Sequence, residues 1–312
     1  MPATVGRLAP SPTGGLHLGH ARTFLVAWLM ARRAGGEVIL RIEDIDAGRV
    51  RPGAAGGMIE DLRWLGLDWD RGPIHQSSRL DIYNTALDRL KAADLVYPCT
   101  CTRADIRRAA SAPHACDEGP TYPGTCAGRS AADAHGLIRE GRPFAWRFRV
   151  PPGEVAWDDA FLGPTRLDPS RIGGDFVVGR STGEPAYQLA AVADDAEMGV
   201  TQVIRGDDLV PSTPRQILLH RALGHAPPRS GHVGLAVGPD GQRLAKRDGS
   251  LKLATLREAG VGAGEVVGWV VGSLGGVDRS SVPAEWVRVL DFDEAARRSW
   301  AIDLGLRSED KP

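Results

Sequence analysis

The chain has 312 residues, of which 42% are hydrophobic; this is globular composition, with length for one large domain with insertions or for two ordinary domains. Lys+Arg at 38 against Asp+Glu at 39 leave a formal net charge of -1, so affinity for nucleic acid cannot rest on bulk charge and requires a local basic surface. No stretch reaches the roughly 18 apolar residues of a membrane helix, and residues 1–7 lack a basic flank followed by an apolar run, so a soluble, cytoplasmic protein with no membrane association is expected.

In chain order, residues 4–9 read as a buried strand, 10–19 as a loop, 21–33 as a helix with Phe24, Leu25, Trp28 and Leu29 on one face, and 37–42 as a second strand. This βαβ unit belongs to an α/β doubly wound parallel sheet, whose ligands lie beyond the strand carboxyl ends. The loops 10–20 and 43–49 are therefore the expected ligand carriers. Leu80, Tyr83, Leu87 and Leu90 recur at helical spacing. A Pro- and Gly-rich segment, 97–128, then opens an inserted lobe to which the strands expected at 144–150 and 176–179 belong. A strand at 202–205 returns to the main sheet before a helix at 214–223, and further helices are expected at 251–260 and 263–274.

The loop Pro10-Ser11-Pro12-Thr13-Gly14-Gly15-Leu16-His17-Leu18-Gly19-His20 delivers two histidines to the start of a helix. Its glycines allow close backbone approach, and the helix start offers free amides and the positive end of the dipole, which suits the phosphates of ATP. His17 and His20 can donate to phosphate oxygens as charge develops on them.

Four cysteines, Cys99, Cys101, Cys116 and Cys126, fall in one short window. In an intracellular protein this favours a metal over disulfides, and a structural zinc ion needs four ligands. Four thiols are available, with His114 a further nitrogen nearby.

Residues 7–23 resemble the "HIGH" signature of class I aminoacyl-tRNA synthetases in its glutamyl form. Three further segments follow in the family's order. These are Arg41-Ile42-Glu43-Asp44-Ile45-Asp46, then Val203-Ile204-Arg205-Gly206-Asp207-Asp208-Leu209, and finally Gln242-Arg243-Leu244-Ala245-Lys246-Arg247, which is similar to the "KMSKS" loop. The resemblance implies a Rossmann-like catalytic domain that uses ATP and Mg²⁺ to form a glutamyl-adenylate. His17, Gly19, His20 and Lys246 would then bind ATP, with His17, His20 and Lys246 catalytic. Glu43 would hold the α-ammonium of L-glutamate, and Arg7 and Arg205 its carboxylates. Leu8, Ala9, Pro10, Ser11 and Tyr187 would shape the pocket. These types suit a substrate with one ammonium and two carboxylates. Arg243 and Ala245 depart from the family pattern by removing a lysine and a hydroxyl.

In short glutamyl paralogues that the chain resembles, zinc is held by a Cys-x-Cys pair and a Tyr-x-x-x-Cys pair, which implies Cys99, Cys101, Tyr122 and Cys126 as ligands. Cys116 is then surplus, or takes the place of Tyr122. Resemblance divides the chain into 1–95 and 186–250 as two halves of the catalytic domain, 96–185 as the inserted zinc-bearing lobe, and 251–312 as a short helical stem-contact subdomain with no anticodon-binding domain. That economy resembles the glutamyl-Q tRNA(Asp) synthetases, expected monomers that place glutamate on the queuosine of tRNA(Asp). The alternatives are a truncated enzyme charging the 3′ end of tRNA(Glu), or a non-catalytic paralogue that binds glutamate or RNA.

Overall fold

The computed structural model describes residues 3–109, 121–234 and 252–273. Its elements begin with β1 (Val5–Leu8), α1 (Leu18–Arg33), β2 (Glu37–Ile42), α2 (Ala54–Trp64), β3 (Arg71–His75), α3 (Leu80–Ala92) and β4 (Val96–Cys99). There follow α4 (Arg103–Ala109), α5 (Ala134–Arg139), β5 (Ala145–Phe148), β6 (Val155–Asp159), β7 (Gly163–Leu167) and β8 (Phe176–Arg180). The last are α6 (Tyr187–Glu197), β9 (Gln202–Gly206), α7 (Ser212–Ala222), β10 (Arg229–Val233), α8 (Leu253–Glu258) and α9 (Ala263–Ser273). Two compact units divide them: the described residues of Met1–Ile74, Gln202–Asp207 and His232–Pro312, and those of His75–Thr201 and Asp208–Gly231.

In the first unit β1 and β2 run parallel, Arg7 opposite Ile39 and Leu8 opposite Leu40. The apolar face of α1 covers them, so Leu25, Trp28, Leu40, Ile42 and Leu62 share one core with Ile204 and with Val266 of α9. Gly6 makes this close approach possible: a methyl there would lie 2.9 Å from Cβ of Ala31. Helix α1 begins at Leu18 rather than at residue 21. The earlier start comes from His17, whose imidazole acts as the N-cap, a role usually given to Ser, Thr, Asp or Asn.

In the second unit β4, β5 and β8 form an antiparallel sheet, β6 and β7 pair antiparallel, and β10 lies parallel to β6 with Ser230 opposite Asp159. The architecture is thus α/β with mixed sheets rather than a uniformly parallel one. The antiparallel pairing of β6 with β7 follows from their short connection, which leaves no room for a crossover helix.

Helices α3 and α6 are joined through Asp194, which is fully buried. Its carboxylate accepts from Gln76 Nε2 at 2.8 Å, Arg79 Nε at 2.8 Å and Tyr83 Oη at 2.9 Å. Asp194→Asn keeps the shape but turns the charged acceptor into a neutral amide facing three donors. Loss of the charge-assisted bonds should lower unfolding free energy by about 2 kcal/mol, read from urea denaturation.

Candidate functional site

The loops that follow β1 and β2 are tied together, since Glu43 N–H donates to Pro10 O at 2.9 Å and Arg51 N–H to Pro12 O at 2.9 Å. They bring the end of β1 (Arg7, Leu8), the turn Ala9, Pro10 and Ser11, and Glu43 into one region of the first unit. Arg7 and Leu8 are buried while Ser11 is exposed. Strand β9 packs against β1 and α1 and carries Arg205.

At the start of α1 two histidines cap the helix reciprocally. Gly19 N–H donates to His17 Nδ1 at 3.1 Å, with a longer bond from His20 N–H at 3.4 Å, and His17 N–H donates to His20 Nδ1 at 3.2 Å. Their rings stack at 3.7 Å. Because each Nδ1 accepts, each neutral ring carries its proton on Nε2, and two N–H donors are presented beside the positive end of the helix dipole. Burial lowers the pKa of both; His20 is held down to about 3, by burial first and then by His17. Both are therefore neutral donors at physiological pH. Gly19 is part of the device, because a methyl there would sit 3.0 Å from the His17 ring.

The depressed His20 pKa links stability to pH. The unfolded histidine titrates near its ordinary 6.5 and the folded one near 3, so between these values the unfolded chain binds more protons. The stabilisation is complete above pH 6.5 and is lost as pH falls toward 3. His20→Asn should therefore lose less of its denaturant midpoint than the parent protein between pH 7 and pH 4.5.

Glu43 lies just past β2, with Oε1 3.0 Å from Nη2 of the fully buried Arg41. Arg205 donates through Nε to Nε2 of His232 on β10 at 3.2 Å, both residues being buried. The sequence alone gives no part to His232 and none to Arg41 as a partner of Glu43. Arg41 was in principle findable, two residues from Glu43; His232 lies 27 residues from Arg205 and has no local signal.

Tyr187 opens α6 in the second unit and is partly exposed. Lys246 and Cys116 lie outside the described residues. The described chain resumes at Lys252, which bridges to His17, and Leu253 N–H donates to Leu16 O at 2.8 Å.

In the second unit the thiols of Cys99, Cys101 and Cys126 all lie within 4.8 Å of one another, and Sγ of Cys101 and Cys126 are 3.7 Å apart. A zinc tetrahedron with bonds of about 2.3 Å has sulfur–sulfur edges of about 3.8 Å, so the spacing fits. The phenol oxygen of Tyr122 is 3.4 Å from Cys99 Sγ and accepts from Cys126 N–H at 2.8 Å. Burial alone would push the Cys126 thiol up, but hydrogen bonds from the Thr100 backbone, Tyr122 and Cys101, with the charge of Arg129, hold it down to about 7. Burial and the adjacent Cys99 push Cys101 up to about 11. Cys126 is thus the first thiolate to meet a cation. The loop is secured from outside, since Arg149 donates to the carbonyls of Ala127 and Arg129, and Arg129 to that of Pro98.

Residues 3–265 match the family described as tRNA synthetases class I (E and Q), catalytic domain. A protein of Symbiobacterium thermophilum named glutamyl-Q tRNA(Asp) synthetase is 51% identical over 303 residues, 94% of either chain. One of Nitratidesulfovibrio vulgaris with the same name is 49% identical over 286 residues, 89% of this chain and 88% of that one. Among solved structures, a glutamate tRNA ligase of Elizabethkingia meningosepticum, crystallised in complex with its amino acid, superposes with a TM-score of 0.78 at 28% identity. The match covers 93% of this chain and 65% of that one.

Proposed function

Since the chain belongs to the class I tRNA synthetases of the glutamate and glutamine type, we propose that it activates L-glutamate with ATP and transfers it to the queuosine of tRNA(Asp). The near full-length match to relatives bearing the glutamyl-Q name carries the choice of acceptor. The neutral histidine pair at the start of α1 supports the chemistry.

In the first step a carboxylate oxygen of glutamate attacks the α-phosphorus of ATP, the bond to the β-phosphate oxygen breaks, and pyrophosphate leaves. Negative charge shifts onto the phosphate oxygens, where Nε2–H of His17 and His20 would meet it without giving up a proton. Gly19 keeps room for the His17 ring, Lys246 would neutralise the departing pyrophosphate, and Mg²⁺ would accompany the nucleotide. In the second step a hydroxyl of the queuosine cyclopentene-diol attacks the activated carbonyl, the bond from that carbonyl to the AMP phosphate oxygen breaks, and AMP leaves as the hydroxyl releases its proton.

We assign the α-ammonium to Glu43, whose other neighbour Arg41 fixes its carboxylate. Arg205 and Arg7 take the substrate carboxylates, and Leu8, Ala9, Pro10 and Ser11 the pocket walls. Zinc, held by Cys99, Cys101, Cys126 and Tyr122, would be structural, cross-linking the loop after β4 to residues 122–126.

The test is incorporation of labelled glutamate, with ATP and Mg²⁺, into tRNA that carries or lacks queuosine, followed by nuclease mapping. Label on the queuosine nucleotide alone is expected. Label on the 3′-terminal adenosine would overturn the choice of acceptor.

A further inference from the structure

We propose that His232 is a positioning residue for glutamate selection, holding the Arg205 guanidinium in the orientation that receives a substrate carboxylate. The proposal rests on the reading of Arg205 given above and deepens it.

An arginine side chain is long and its final torsions are soft, so a guanidinium that must meet a carboxylate edge to edge gains from being fixed before the substrate arrives. A hydrogen bond at Nε fixes the plane of the group and hence the direction of its Nη edge. His232 supplies that bond at 3.2 Å. The pair is shielded from water, with Arg205 5% and His232 1% exposed, so solvent does not compete for the contact.

The choice of residue is chemically specific. A carboxylate in place of His232 would neutralise the guanidinium and compete with the substrate for it, whereas an imidazole accepts through Nε2 and adds no negative charge. With Nε2 accepting, the ring proton resides on Nδ1. His232 thus directs Arg205 without adding a negative charge of its own beside the guanidinium.

The experiment is glutamate-dependent pyrophosphate exchange by the full chain without tRNA, giving separate KM values for glutamate and ATP. In His232→Gln the amide oxygen reaches about as far as Nε2, whereas in His232→Asn it stops near Nδ1; both are polar and neutral. His232→Asn should raise the glutamate KM about tenfold, the worth of one hydrogen bond to a charged group, with the ATP KM changed less than about twofold. His232→Gln should recover most of that loss. In an Arg205→Met background, His232→Asn should add less than about twofold, because its effect passes through Arg205.

Equal losses in the Asn and Gln variants, parallel rises in both KM values, or a glutamate KM untouched by either would overturn the proposal. An Arg205→Met enzyme with an unchanged glutamate KM would instead remove the underlying reading of Arg205, so the two failures are distinguishable.

Discussion

Replacing His17 with asparagine should reduce glutamate-dependent pyrophosphate exchange by about 100- to 1,000-fold, the usual cost of removing one donor from a preorganised charge-stabilising site. The fold should be left intact. The two roles of His17 reside on different ring nitrogens: Nδ1 caps α1 by accepting from Gly19 N–H, and Nε2 carries the proton offered to the phosphates. Asparagine places its amide oxygen close to where Nδ1 lies and is among the strongest N-cap residues. It does not reach the position of Nε2. Thermal melting should therefore be unchanged or slightly raised while the rate falls, and the loss should appear in kcat more than in the ATP KM, since the contact strengthens as charge builds. Parallel loss of melting temperature and rate would mean that His17 serves the helix alone. The same logic makes Gly19→Ala a milder version, because its methyl, 3.0 Å from the His17 ring, displaces the donor without removing it.

Much of this arrangement was legible because it is local. The strand expected at 37–42 coincides with β2, and the helices expected at 80–90 and 263–274 differ from α3 and α9 only at their ends, each marked by apolar side chains at a regular period. Helix α2 was not anticipated: its opening, Ala54-Ala55-Gly56-Gly57, has the composition of a loop, and it is held by packing Met58 and Leu62 into the core. Helix α6 was missed for the opposite reason. It is buried nearly all round, including Asp194 and Asp195, and so lacks the polar face that reveals an amphipathic helix. Residues brought together by a short motif, such as His17 and His20, could be found from their spacing. Those brought together by neighbouring strands, such as Arg205 and His232, could not, since a hydrogen bond across a sheet leaves no trace in either local segment.

Removing a zinc ligand should have the other large effect, on stability. The parent protein is expected to carry about one zinc ion per chain by elemental analysis, and Cys126→Ala to lose it and melt markedly lower. Structural zinc contributes on the order of 10 to 16 kcal/mol in small domains, or about 2.5 to 4 kcal/mol for each of four ligands. Chelator should destabilise the parent and leave Cys126→Ala unchanged. Three thiols converge among the described residues, and the fourth ligand is the informative choice between Tyr122 and Cys116. Tyr122 is well placed, with its oxygen 3.4 Å from Cys99 Sγ and its ring centroid 3.9 Å from the Arg147 guanidinium carbon. Burial and the neighbouring Cys99 raise the pKa of the phenol, while the bond from Cys126 N–H favours its anionic form, which a metal also demands. Tyr122→Phe keeps the ring under Arg147 and removes only the oxygen. If that oxygen binds the metal, zinc affinity measured by chelator competition should fall by about 100-fold or more, while Cys116→Ser stays near the parent value. The reverse order would make Cys116 the ligand, and the Tyr122 hydroxyl would then be left with its bond from Cys126 N–H, a brace for the loop.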